Sequence, residues 1–195
     1  LALKGKSFEG QRVIISGSGN VAQYAAQKAM RLGAKVLTLS DSDGFIYDEK
    51  GLDEEKLNFV FELKNIRRGR IKEYLSRYPE AKYFPGAKPW EIPCDIALPC
   101  ATQNEIQASD AESLVASGCY CVVEGANMPS TPEAIAIFHK ARILYSPGKA
   151  SNAGGVATSG LEMSQNSIRQ KWTAEEVDAQ LHRIMSDIHA SCLKY

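Results

Sequence analysis

A chain of 195 residues, 44% hydrophobic and 24% charged, is long enough for one well-cored domain and has the composition of a soluble globular protein. Its 23 Lys and Arg balance its 23 Asp and Glu, so no global basic field points to nucleic acid, and no apolar run is long enough to span a bilayer. The five cysteines form neither a C-x-x-C pair nor a zinc spacing, and they read as reduced, mostly buried thiols of a cytoplasmic protein.

The opening LALKGKSFEG has none of the regions of a signal peptide. After it, RVIISGSGNVAQYA runs from a strand of β-formers into two glycines one residue apart, then into a helix predicted over Val21–Leu32. The pattern Gly17-Ser18-Gly19-Asn20-Val21-Ala22 is G-x-G-x-x-A. Gly17 would permit a tight turn, Gly19 a close approach of backbone to a pyrophosphate, and Ala22 a close packing of helix on strand. The anion would then face unpaired amides and the positive end of a helix dipole. A lone match of this kind is more often a plain turn. Here a second strand, KVLTLS, follows the helix and ends in SDSDG, which puts an acidic residue about 20 positions on, where a ribose hydroxyl is read. The loop is therefore read as a phosphate loop.

Helical patterns follow over Asp53–Arg67 and Arg70–Arg77, and the basic residues Lys64, Arg67, Arg68 and Arg70 cluster between them. Guanidinium groups pair bidentately with phosphate, so this cluster favours NADP, whereas Asp41 or Asp43 at the strand end favours NAD. A solvated helix end would account for the cluster equally well. Spacing alone leaves these readings level.

Further on, CDIALPCA, CYCVVEG and ARILYSP are short apolar runs that alternate with helices predicted over Asp110–Ser117 and Thr131–Lys140. The alternation predicts an α/β fold with a doubly wound, mostly parallel Rossmann-like sheet. In such a sheet the polar segments PCATQNE, GANMP and NAGGVATSG follow strands and would meet at one edge. Taken singly, each has a plainer reading: an N-cap by Thr102 or Asn104, a turn with Asn127 in the left-handed region, or a packed glycine-rich helix start. The final helix opens with a capping box, Thr173 and Glu176, and carries Val177, Leu181, Ile184, Met185 and Ile188 on one face. His182 and His189 share a face of this helix but stand too far apart to share a metal.

The segments GSGNVAQYA, DIALPCATQNE, VEGANMPSTPEA and PGKASNAGGVATSGLEMSQN, followed by DIH, resemble the coenzyme domain of the hexameric glutamate dehydrogenases. The resemblance runs from about Leu3 to Lys194. It implies a single dinucleotide-binding domain over residues 1–195, with 146–195 a helical return segment and the family's preceding substrate domain absent. Gly17, Ser18, Gly19, Asn20 and Val21 would then hold the coenzyme pyrophosphate. Ala101, Thr102 and Gln103 would line the route to the nicotinamide ribose, with Asn127 and Asn152 at the nicotinamide end. Val156 and Ser159 would reach the substrate, Ser159 donating to its side-chain carboxylate. In NADP-preferring members resembling this chain, an SDS triplet and a K-x-x-R-x-x-R series accompany the 2′-phosphate; here these are Ser40, Asp41, Ser42, Lys64, Arg67 and Arg70. That match tips the expectation to NADP, with NAD as the alternative.

The implied reaction is the reversible oxidative deamination of L-glutamate to 2-oxoglutarate and ammonia. The family's catalytic lysine and aspartate lie on the other domain, so no catalytic residue and no metal ligand is assigned here. The parent is expected to be a homohexamer, and the piece itself to be compatible with a monomer that binds coenzyme without turning over glutamate. Two other readings stand beside it. One is a non-catalytic dinucleotide module; the other is a dehydrogenase of apolar amino acids, which would be expected to lack the Ser159 hydroxyl, since a buried donor without a partner costs about 1–3 kcal/mol.

Overall fold

The protein is described by a computed structural model covering Leu1 and residues 4–194; Leu3, where the family resemblance begins, lies outside the described residues. Arg12–Ile15 form the first strand, β1, whose Val13 and Ile15 face one side of the sheet while Ile14 faces the other. All three are buried, as the continuous apolar run requires of a strand covered on both faces. Asn20–Arg31 form α1, and its buried Ala22, Ala26 and Ala29 let the helix lie close against the sheet.

KVLTLS, expected as one strand, divides at Leu37. Lys35–Val36 (β2) pairs parallel with β1, and Thr38–Asp41 (β3) turns away into a second sheet. The Leu37 N–H donates to Val13 O at 2.8 Å, while the Leu37 carbonyl accepts from Asp48 N–H at 2.8 Å. One residue thus serves both sheets. The second sheet is antiparallel, ordered β3-β4-β5, and contains Gly44–Tyr47 (β4) and Lys82–Pro85 (β5), neither of which is among the sequence-predicted strands.

The main sheet continues with Ile96–Leu98 (β6), Cys121–Val123 (β7) and Leu144–Ser146 (β8). Its order is β2-β1-β6-β7-β8, and every pairing is parallel. Glu54–Phe61 (α2) packs with α1 on one face through Leu57 and Val60. Ala108–Ala116 (α3) and Pro132–Lys140 (α4) cover the other face, where Leu114 and Phe138 meet Ile14, Ala97 and Val122. The sheet is therefore doubly wound. The strand order reverses between β1 and β6, and ligands of such folds bind in the crevice beyond the strand ends at that point.

Gly148–Ser151 (α5), Ala153–Ser167 (α6) and Ala174–Cys192 (α7) end the chain. In α7 the predicted capping box is present: Glu176 N–H donates to Thr173 Oγ1 at 3.2 Å and Thr173 N–H donates to Glu176 Oε2 at 2.7 Å. Neither α6 nor α7 has a buried residue. Among the described residues, no helix is long and apolar enough to cross a membrane.

Candidate functional site

The glycine loop sits at the end of β1, beside the reversal in strand order. Gly17 has φ +81°, and a Cβ there would stand 2.9 Å from Cys100 O. A side chain would have neither the conformation nor the room. Gly19 differs: a Cβ there would meet nothing within 4 Å. Gly19 is the N-cap of α1, no side chain caps this helix, and its first turn carries no acidic residue. The start of α1 therefore has no side-chain cap and no carboxylate to oppose its dipole, with open space beside Gly19, which is the arrangement an anion needs. Asn20 and Val21 are exposed at this helix start, whereas Ser18 is buried and its carbonyl accepts from Gln23 Nε2 at 2.7 Å.

On one side the loop is pinned by β3. Gly17 N–H donates to Ser40 Oγ at 2.7 Å, and Ser40 N–H donates to Gly17 O at 3.0 Å. Asp41 is engaged from three directions. Its Oδ2 accepts from Ile71 N–H at 2.7 Å and lies 3.5 Å from Lys64 Nζ, and its Oδ1 accepts from Asp43 N–H at 3.0 Å. Arg70 Nη1 donates to Ser42 Oγ at 2.8 Å, and Arg70 Nε lies 3.5 Å from Asp43 Oδ2. Lys64 and Arg70 thus gather at the SDS segment. Arg67 does not join them and pairs with Glu73 at 3.0 Å. The reason is local: the helix predicted over Asp53–Arg67 stays α-helical only to Phe61, then widens into i→i+5 turns over Glu62–Ile66. Arg68 has φ +56°, and Arg70 precedes a 3₁₀ turn at Ile71–Ser76.

On the other side, Ala101, Thr102 and Gln103 are exposed in the loop after β6. Neither Thr102 nor Asn104 caps a helix, because α3 opens only at Ala108, with Asp110 Oδ2 accepting from Gln107 N–H at 2.8 Å. Glu105 does the local work instead. Its Oε1 accepts from Ser16 Oγ at 2.9 Å, Ala101 N–H at 3.0 Å and Thr102 N–H at 3.3 Å. Burial pushes its carboxyl above the ordinary range, opposed by these bonds and by the charge of Lys88. Burial also pushes the neighbouring Cys100 thiol up to about 12, so it stays protonated and unreactive.

The loops after β6 and β7 are knitted by backbone bonds. Asn104 N–H donates to Met128 O at 2.9 Å, and Gly125 N–H donates to Pro99 O at 2.9 Å. In GANMP the left-handed residue is Met128, at φ +46°, rather than Asn127. Asn127 and Asn152 do meet: Asn152 Nδ2 donates to Asn127 Oδ1 at 3.0 Å and to Ala126 O at 3.1 Å. A second buried carboxylate, Glu124, anchors this corner by accepting from Gly148 N–H at 2.7 Å and Ser130 N–H at 3.3 Å.

Between α1 and the start of α6 lies a cleft of about 1010 Å³, lined by Val21, Ala101, Gln103, Asn127, Asn152 and Val156 among others. Predicted site residues from the start of α1, the loops after β6 and β7, and the α5–α6 junction therefore border one cavity. Ser159 stands one helical turn beyond Val156 on α6 and is exposed. Glu105 and Glu124 were not among the predicted site residues. A lone Glu beside a polar motif looks like any surface charge, and the one signal in the sequence was an acceptor placed just after a strand-end turn rich in unpaired amides.

Residues 1–195 match the family Glutamate/Leucine/Phenylalanine/Valine dehydrogenase. The chain is 60% identical over its whole length to the NAD(P)-specific glutamate dehydrogenase of Xylanibacter ruminicola, covering 44% of that protein. It is also 60% identical over its whole length to the NADP-specific glutamate dehydrogenase of Haemophilus influenzae, covering 43% of it. A crystal structure of Plasmodium falciparum glutamate dehydrogenase superposes with a TM-score of 0.90 at 53% identity, over 93% of this chain and 39% of that one. The chain thus spans less than half the length of the relatives it matches.

Proposed function

Because the chain belongs to the glutamate/leucine/phenylalanine/valine dehydrogenase family, we propose that it is the coenzyme-binding domain, residues 1–195, of a glutamate dehydrogenase that uses NADP. The whole protein would interconvert L-glutamate with 2-oxoglutarate and ammonia, and would be a cytoplasmic homohexamer assembled mainly through a preceding substrate domain. Residues 146–195 would be the helical return.

The observation that carries the choice of coenzyme is the state of Asp41. Two backbone amides and Lys64 already engage its carboxylate, which is 9% exposed. A carboxylate so engaged is poorly placed to read two ribose hydroxyls. It holds Lys64 beside Ser42 and Arg70, where a phosphate ester would meet two cations and a hydroxyl. NAD remains the second reading, carried by Asp43 and by the NAD(P)-specific name of the Xylanibacter ruminicola relative.

In this reading Gly17, Ser18, Gly19, Asn20 and Val21 receive the pyrophosphate at the start of α1, and Ser40 holds their loop in place. Ala101, Thr102 and Gln103 border the nicotinamide ribose, and the Asn127–Asn152 pair meets the nicotinamide end. When bound, NADP supplies the carbon that exchanges a hydride with the substrate. The chain's own contribution is position: loops fixed by backbone bonds and a cleft wall that excludes water. Val156 and Ser159 present one side of α6 to the substrate, with the Ser159 hydroxyl as donor to its distal carboxylate. Proton transfer would fall to the lysine and aspartate of the other domain.

Calorimetric titration of the chain with NADPH and with NADH at low fixed salt tests this. NADPH should bind preferentially, and Lys64→Ala or Arg70→Ala should each cut its affinity by about tenfold or more while leaving NADH unchanged, the scale of a lost charge-assisted bond. Preference for NADH would overturn the assignment of NADP. Glutamate-dependent NADPH formation by the 195-residue chain alone would overturn the division of labour between domains.

A further inference from the structure

We propose that Glu105 is a positioning residue that couples the glycine loop to the nicotinamide-side loop, so that the two walls of the crevice move as one body. The inference rests on the coenzyme reading above. Its basis is a convergence on one atom. Glu105 Oε1 accepts from Ser16 Oγ, Ala101 N–H and Thr102 N–H, and Ser16 Oγ itself accepts from Cys100 N–H at 2.9 Å. Ser16 is the residue before Gly17, at the end of β1, and residues 100–102 follow β6. These are the two strands between which the strand order reverses. A single buried oxygen therefore refers the pyrophosphate wall to the ribose wall.

Filling space does not explain the group. Glu105 is 7% exposed, and desolvating a carboxylate is costly, whereas an apolar side chain could occupy the volume. What an apolar residue could not do is satisfy the amides of Ala101 and Thr102, which would be left without that acceptor. Lys88 Nζ donates to the Glu105 carbonyl at 2.6 Å, which fixes the residue's own backbone.

The adenosine side has a separate device. Gly17 is held to β3 through the hydroxyl and the amide of Ser40, and Lys64 and Arg70 gather at the next two residues, Asp41 and Ser42. None of these bonds passes through Glu105. The two ends of a dinucleotide should therefore respond differently when Glu105 is changed.

The test measures the affinity of the chain for NADPH and for adenosine 2′,5′-bisphosphate, which lacks the nicotinamide nucleotide. Glu105→Ala should weaken NADPH by about tenfold, the scale of one orphaned buried donor, and adenosine 2′,5′-bisphosphate by less than about twofold. Glu105→Gln should restore NADPH binding, because only Oε1 is used and the amide carbonyl can take its place. Should Glu105→Ala fail to fold, Ser16→Ala removes the link to Cys100 and should show the same contrast in smaller degree. Equal weakening of both ligands would make Glu105 a general structural residue and overturn the proposal, as would unchanged NADPH binding. If the unaltered chain binds adenosine 2′,5′-bisphosphate and NADPH no better than NADH, the coenzyme reading itself fails, and the proposal with it.

Discussion

Gly17 and Gly19 are two residues apart and carry opposite constraints. Gly17 is confined by its φ of +81° and by Cys100 O, so Gly17→Ala should cost about 1–3 kcal/mol of stability in a urea unfolding curve. Gly19 has φ −82° and open space around its missing side chain, so Gly19→Ala should cost only the difference between a glycine and an alanine N-cap, under about 1 kcal/mol. In the proposed reading the new methyl would stand where the pyrophosphate approaches, and NADPH affinity should fall by about tenfold or more. Stability and binding would thus separate between neighbouring glycines. At the opposite end of the strands, Asp95 shows a pH effect. Burial pushes its carboxyl up, but the bonds from Arg12 Nε at 3.1 Å, Nη2 at 3.2 Å and N–H at 2.8 Å outweigh this and hold it below the ordinary value. A depressed carboxyl stabilises the fold above the unfolded value of about 3.9, and that stability is lost as pH falls through the folded one. Because Arg12 is half-exposed, the term is below about 1 kcal/mol. Asp95→Asn should remove this acid limb from a plot of stability against pH without moving the neutral plateau by more.

The elements show which parts of the fold were legible in the sequence and which were not. Strands covered on both faces announce themselves as unbroken apolar runs, and β1, β6 and β7 lie where such runs occur, while the half-buried edge strand β8 lies in the similar run ARILYSP. The switch at Leu37 was invisible because KVLTLS stays apolar or β-branched across it; what changes there is the hydrogen-bond partner, and no side chain records that. GFIY and KYFP, which became β4 and β5, are four-residue strands separated by residues 48–81, so no hairpin signal joined them. The basic series was legible in composition but not in direction. A regular helix would place Lys64 and Arg67 as neighbours on one face. The widened turn over Glu62–Ile66 sends Lys64 to Asp41 and leaves Arg67 with Glu73. Arg67→Ala should accordingly affect NADPH binding less than Arg70→Ala, in the same titration that compares the two coenzymes.

At the scale of the whole molecule, two apolar clusters on either side of the parallel sheet hold most of the buried apolar side chains, and the edge beyond the strand ends is assembled from loops that are bonded to one another. This is why several dispersed motifs could be read together: in a parallel sheet every strand end that carries a polar loop faces the same way. The supports beneath those loops, Glu105 and Glu124, came from the packing rather than from any spacing. The helices α6 and α7 stand apart from this economy. They pack on each other but have no buried residue, and the segment 168–173 between them lies outside both helices with Arg169 and Lys171 exposed. Trypsin at low dose should therefore cut after Arg169 or Lys171 before it touches any site between the strands of the main sheet, as mass spectrometry of the first fragments would show. The larger product would keep the glycine loop, both buried carboxylates, and Val156 and Ser159, and it should still retain NADPH on a filter after α7 has been washed away.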